Sequence, residues 1–217
     1  MNGIRNWGVV VLLFAVAGCG VISGTRGSGN SGSEDRKVSG FDSVSLNGSG
    51  RLLVDQNGTE SLSITTDDNL LPLITSEVHG KQLVLSVREG SNIDPTKDVV
   101  FKVTAKNLNR ISINGSASAE ATGVHTDGLR LDIAGSGDIT ASGKSDRQDI
   151  SIAGSGKYLG ADLKTKTATI NIAGSGDAVV AASDSLDVTI AGSGSIQYIG
   201  DPKITQSVLG SGSISRK

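Results

Sequence analysis

Cysteine occurs once in this chain, at Cys19, so no internal disulfide is available and the folded part must be held by its own packing. Histidine is nearly as rare. His79 and His125 stand far apart, and without further cysteines the usual zinc or copper ligand set cannot be assembled, so neither a metal nor another cofactor is expected. Aromatic residues make up 3% of the sequence, and both Trp7 and Phe14 fall in its first 20 residues. Phe41, Phe101, Tyr158 and Tyr198 are a poor supply of stacking platforms for bases or sugars. Charge of one sign is lacking as well: a net charge of −2 gives no basic field to attract nucleic acid. Glycine, by contrast, is abundant at 30 residues, but not at every third position, which excludes a collagen helix.

The single cysteine points to a location. Arg5 is followed by an apolar stretch from Trp7 to Ala17, too short to span a bilayer and of signal-peptide proportions. The ending "VAGC", Val16 to Cys19, resembles a bacterial lipobox, which implies removal of residues 1–18 and acylation of Cys19 as the new N-terminus. Acyl chains bury roughly 0.8 kcal/mol per methylene, so several of them hold a protein firmly on a membrane. Gly20 rather than an aspartate follows, which implies sorting to the outer membrane. From there to Lys37 the sequence is rich in Gly and Ser with no apolar period, and residues 19–37 are expected to be a lipidated, flexible tether. The folded domain is expected over 38–217.

Within it a phrase recurs. "IAGSG" is spelled four times, and Gly-Ser-Gly or a close variant begins at Gly48, Gly115, Gly135, Gly154, Gly174, Gly192 and Gly210. From Gly115 the steps are 20, 19, 20, 18 and 18 residues. Before each mark two apolar residues flank one polar residue. The outer column is Val44, Ile111, Leu131, Ile150, Ile170 and Val188; the inner column is Leu46, Ile113, Ile133, Ile152, Ile172, Ile190 and Val208. That alternation is a strand with one face buried. Beyond each bend lies a third, mostly apolar column: Leu52, Ala119, Ile139, Tyr158, Ala178, Ile196 and Ile214.

One such unit cannot bury its own apolar face, so units must stack, and the period is too short for a propeller blade. The expected fold is therefore an all-β solenoid with regular coils of about 19 residues from about residue 107. The glycines become corners, where positive φ without a Cβ clash is needed. Residues 52–109 fall outside the regular repeat. Asp67 to Val78 is expected to start as a short helix limited by Pro72, with His79-Gly80 as a turn before two alternating strands, "KQLVLSV" and "DVVFKVTA". This stretch is expected to form irregular N-terminal coils that close one end, and Gln206, Arg216 and Lys217 a polar last rung that blunts the other.

The segments "KVSGFDSVSLNGSGRLLV" (37–54), "DDNLLPLITSEVHGKQLVLSV" (67–87) and "NLNRISINGSASAEATG" (107–123), with the later "IAGSG" units, resemble the auto-transporter adhesin head domain, also called the GIN domain. The resemblance covers nearly all of 37–217. It implies a single-stranded right-handed parallel β-helix in a secreted or lipid-anchored bacterial protein, and an adhesive role. It brings no catalytic residue, so it carries over a fold and no site.

Candidate sites are few. The corner serines lack the Gly-x-Ser-x-Gly elbow and form a repeated ladder rather than a nucleophile. Gly-x-Gly as a nucleotide loop needs a following helix, and strands follow here. Asp138, Lys157 and Asp177 alternate in sign after successive bends and are expected to form an ion ladder that fixes register. Lys144, Asp146, Arg147, Asp162, Lys164, Lys166 and Lys203 collect on the variable third side, where plain solvation accounts for them. The best contact strip is the polar column Ser112, Asp132, Ser151, Asn171 and Thr189, whose short polar groups suit a glycan or another envelope protein. The expected function is binding or adhesion without catalysis, on a protein held in the membrane through Cys19. A polysaccharide-active β-helix enzyme and a self-assembling fibre subunit are the alternatives.

Overall fold

The computed structural model describes residues 24–217. The leader 1–18, Cys19 and the first residues of the tether lie outside the described residues.

Each regular coil runs as one nearly continuous strand from one corner to the next: Ser118–Gly135, Asp138–Gly154, Lys157–Gly174 and Asp177–Gly192. All pair in parallel with the coil before, making a β-solenoid of about five turns. The register matches the sequence columns. Val44, Ile111, Leu131, Ile150, Ile170 and Val188 are successive partners, and Leu46, Ile113, Ile133, Ile152, Ile172 and Ile190 form the parallel file beside them. The third column aligns likewise from Leu52 to Ile214. No residue of the outer file is more than 3% exposed. Rungs lie about 4.8 Å apart, and each buried isoleucine contributes roughly 1.5–3 kcal/mol.

The corners show why both glycines recur, for different reasons. Gly154 has φ 127°, and a Cβ there would run into the carbonyl oxygen of Gly135 in the coil before. The amide of Ser155 uses that same oxygen as its acceptor, at 2.9 Å, so the rungs are joined at the bend. The second glycine is a matter of space. At Gly176 a Cβ would lie 2.5 Å from Cγ2 of Ile152 and 2.7 Å from the Gly156 oxygen. The alanine at the equivalent position, Ala117, follows a coil whose inner residue is Leu46, a side chain with no branch at Cβ.

The N-terminal end departs from chain order. After the first coil, Ser43–Gly48 and Arg51–Gln56, the chain turns back as Ser61–Asp67, a 3-10 turn at Leu71–Leu73, and Ile74–His79. It then lays Gln82–Val87 in parallel against Ser43–Gly48, and Val100–Ala105 against Arg51–Gln56. Residues 82–105 thus form the coil before the first one in space, although they come later in sequence. Arg110–Gly115 returns to the other edge of Ser43–Gly48 and starts the regular stack. Ser61–Asp67 and Ile74–His79 pair antiparallel with this lower coil and close the end.

Two local expectations change. The segment from Asp67 is a 3-10 turn containing Pro72, followed by a strand rather than a helix, so His79-Gly80 is the bend of a β-hairpin. The described part of the tether is not free: Ser31–Arg36 is a strand pairing antiparallel with Ser61–Asp67. No apolar pattern marks it because polar contacts hold it. The Arg36 guanidinium donates to the carbonyls of Leu71 and Ile74, at 3.0 and 3.3 Å, and pairs with Glu34. Just before it, the Gly29 amide donates to buried Asp67 at 2.8 Å. At the far end Val208 and Leu209 are 37% and 72% exposed on the strand Lys203–Gly210.

Candidate functional site

The polar column Ser112, Asp132, Ser151, Asn171 and Thr189 is aligned rung by rung on the first side of the solenoid. Its exposure is graded. Ser112 is buried, Asp132 and Ser151 are half-buried, and Asn171 and Thr189 are exposed. Asp132 is occupied, since it accepts from Arg110 Nε at 2.7 Å and from Arg130 Nε at 3.2 Å.

Asp138, Lys157 and Asp177 are also successive partners, but their chemistry differs from an ion ladder. Asp138 accepts the backbone amide of Lys157 at 3.0 Å, and Asp177 that of Ser195 at 3.3 Å. A carboxylate one methylene from its backbone reaches the next rung's N–H more readily than the end of a long lysine. Lys157 makes no ion pair among the described residues.

A large cleft lies on the third side, between the bulge that ends the second side and the start of the next first side. It has a volume of about 1110 Å³ and runs from Asp42 and Lys81 at the first coils to Ile199 and Asp201 near the last. Its floor is the file Thr126, Ser145, Thr165 and Ala182, with Ser145, Thr165 and Ala182 buried. The floor hydroxyls are already engaged. Ser145 Oγ donates to the Arg147 carbonyl and Thr165 Oγ1 to the Ala181 carbonyl, both at 2.6 Å. One residue earlier in each coil, His125, Lys144, Lys164 and Ala181 are partners in successive rungs. One residue later come Asp127, Asp146 and Lys166. Strand alternation turns both sets outward around the floor.

The two rims differ electrostatically. Lys166 Nζ lies 2.8 Å from Asp146, whose hydrogen bond and charge push the ammonium above its ordinary pKa. Lys81 pairs with Asp42 at 3.5 Å, and Asp201 at the far end pairs with Arg216 at 3.7 Å. Lys144 and Lys164 have no carboxylate partner among the described residues. Four of the charges expected on the third side, Lys144, Asp146, Lys164 and Lys166, therefore line a shared cleft. Sequence columns could not find the file because the coil length varies on this side. The register shifts between Ala121 and Val124, Thr140 and Ser142, and Gly160 and Lys164.

The two histidines are not brought together: His125 is in the cleft, whereas His79 sits on the end hairpin, 3.0 Å from Glu77. No group of three or more His, Cys, Asp or Glu suited to a metal ion occurs among the described residues.

A family model described as "Putative auto-transporter adhesin, head GIN domain" matches residues 40–202. Among curated proteins no sequence matches the chain. Solved structures do. A "putative lipid binding protein" from Parabacteroides distasonis ATCC 8503 is 28% identical with a TM-score of 0.61, over 90% of this chain and 100% of that one. A "putative adhesin" from Bacteroides fragilis NCTC 9343 is 25% identical with a TM-score of 0.73, over 89% of this chain and 100% of that one. A further "putative adhesin", from Parabacteroides merdae ATCC 43184, is 21% identical with a TM-score of 0.58 and covers 89% of this chain and 98% of its own; it bears on the fold alone.

Proposed function

The chain belongs to the auto-transporter adhesin head GIN domain family, and on that premise we propose that it is a non-catalytic envelope protein, lipid-anchored through Cys19, that binds ligands on a rigid β-solenoid surface. The observation that carries this reading is the coil-on-coil register of the first and second sides, kept in step from Ser43 to Ile214 while the bulges fall towards the third side. Such a stack presents the same chemical position once per rung along a straight line, which suits an extended ligand. The adhesin names of the family and of the Bacteroides fragilis neighbour support the same role. The polar strip on the first side, where Asn171 and Thr189 remain exposed, is one contact surface in this reading, and the third-side cleft is another.

Anchoring and binding are tested together. Cells producing the chain are fed an alkyne-bearing palmitate, fractionated, and assayed for attachment to surfaces coated with envelope material. The parent is expected to take up label, to partition with the outer membrane and to raise attachment; Cys19→Ala is expected to lose all three. An unlabelled parent overturns the anchor, and attachment no greater than that of cells lacking the chain overturns the adhesive role.

A further inference from the structure

We propose that the third-side cleft is a binding site for a linear anionic polysaccharide of the uronate class, held by Lys144 and Lys164 with His125 beside them. This deepens the adhesive reading and rests on it.

The first argument is the placement of like charge. Lys144 and Lys164 are direct partners in adjacent rungs, about 4.8 Å apart along the stack. Like charges directly opposite each other destabilise a sheet. The neighbouring cations at this cleft are each paired with a carboxylate: Lys166 with Asp146, Lys81 with Asp42, and Arg216 with Asp201. Lys144 and Lys164 alone among these five lysine and arginine side chains have no such partner among the described residues. An anionic ligand completes the pairing.

Position comes second. Both lysines belong to the lining of a cleft of about 1110 Å³. Protein walls of low dielectric concentrate the field of charges set in a cleft. The hydroxyls of Ser145 and Thr165 donate to carbonyls of their own chain, so the rim supplies the free donors. The acids Asp127 and Asp146 stand two residues further along their coils than His125 and Lys144, and Asp146 is engaged by Lys166. A ligand laid along the His125 side meets Lys144 and Lys164 in successive rungs.

Spacing selects the ligand class. An extended peptide repeats its same-face side chains about every 6.6 Å, out of step with rungs about 4.8 Å apart. A chain of pyranose rings advances by roughly one rung per sugar, so neighbouring uronates lie over Lys144 and Lys164 in adjacent rungs. From His125 to Ile199 the file covers four rung steps, roughly 20 Å, enough for several sugars.

The test uses the full chain purified in detergent and measures binding calorimetrically to three polymers: alginate, neutral dextran and polyglutamate. Alginate is expected to bind at least about tenfold tighter than the other two, with an affinity that falls as salt rises. Lys144→Gln/Lys164→Gln is expected to lose about tenfold or more for alginate while melting no lower than the parent, and at low salt higher, because a like-charge contact is removed. Lys102→Gln/Lys157→Gln, a pair away from the cleft, is expected to bind as the parent does. Unchanged alginate binding by the Lys144/Lys164 double variant overturns the inference, as does equal binding of polyglutamate. If alginate fails to bind while the cells still attach to envelope-coated surfaces, the polyanion inference falls and the adhesive reading stands. If neither occurs, both fall.

Discussion

The phenolic hydroxyl of Tyr158 donates to the amide oxygen of Gln148 at 2.9 Å, and neither residue is exposed to solvent. Gln148 stands in a file that is otherwise Leu129, Ala168, Leu186 and Ile204, and Tyr158 in one that includes Ala119, Ile139 and Ala178. The two polar side chains satisfy each other across one coil. Gln148 Nε2 then donates to Thr165 Oγ1 at 2.9 Å, which ties the pair to the floor of the cleft. Ala168 and Ala178 in the next rung leave room for the larger groups, and Gly160 leaves room for the hydroxyl, which a Cβ there would strike.

Replacing Tyr158 with Phe is expected to cost about 1–3 kcal/mol, because the Gln148 oxygen is left buried without its donor. Adding Gln148→Leu should recover much of this, since an apolar pair needs no partner; chemical denaturation of both variants measures it. Burial also pushes the Tyr158 phenol above its ordinary pKa. Its contribution is therefore complete below the unfolded phenol value of about 10 and is lost as pH rises beyond that. The parent should lose stability in that alkaline range, and Tyr158→Phe should lose less.

The corner packing gives a second expectation. Gly176→Ala places a methyl against Cγ2 of Ile152 and should cost about 1–3 kcal/mol through overpacking. In the background of Ile152→Leu, which removes the branch at Cβ, the same change should cost less. A double-mutant cycle reads the coupling, and additive costs would show that the backbone carbonyl of Gly156 sets the limit instead.

The carboxylates after the bends bond to backbone rather than to lysine. Asp138→Ala should therefore cost about 0.5–1.5 kcal/mol through the lost bond to the Lys157 amide. Lys157→Ala should stay within about 0.5 kcal/mol of the parent. Thermal melts at low and high salt decide the matter, because an ion ladder would make the lysine change the costlier one and salt-sensitive.

Asp67 joins three segments that are distant in sequence. Burial opposes its ionisation, but hydrogen bonds from the Thr96 hydroxyl and from the Lys97, Gly29 and Thr96 amides prevail and hold the carboxyl at about 2, below its ordinary 3.8. The sign follows: this stabilisation is complete above the unfolded value and is lost as pH falls from about 4 towards 2. Asp67→Asn should lower the Tm by several degrees at neutral pH, since its amide group meets N–H donors. It should also flatten the acid limb of the Tm profile. Hydrogen exchange near Gly29 and Thr96 should rise with it.

The apolar files from Ile111 to Ile190 were legible because strand alternation and a nearly constant step repeat the same requirement coil after coil. Glycine at the bends was legible for the same reason. The strip from Ser112 to Thr189 could be aligned too, but its gradient of exposure could not, because that depends on what neighbouring side chains such as Arg110 and Arg130 reach. The strand Ser31–Arg36 was hidden for a related reason: its partners, Asp67 and the carbonyls of Leu71 and Ile74, lie some forty residues away and leave no local period.

A periodic chain thus fixes by itself what one coil must share with the next: the buried files, the glycine corners and the parallel stack, since an aliphatic group gains burial only from its equivalent one rung away. Tertiary structure alone decided the rest. It inserted residues 82–105 beneath the first coil out of chain order, and bulges of unequal length brought His125, Lys144 and Lys164 into one file. Those alignments follow from where backbone bonds close in space, and spacing along the sequence does not encode that.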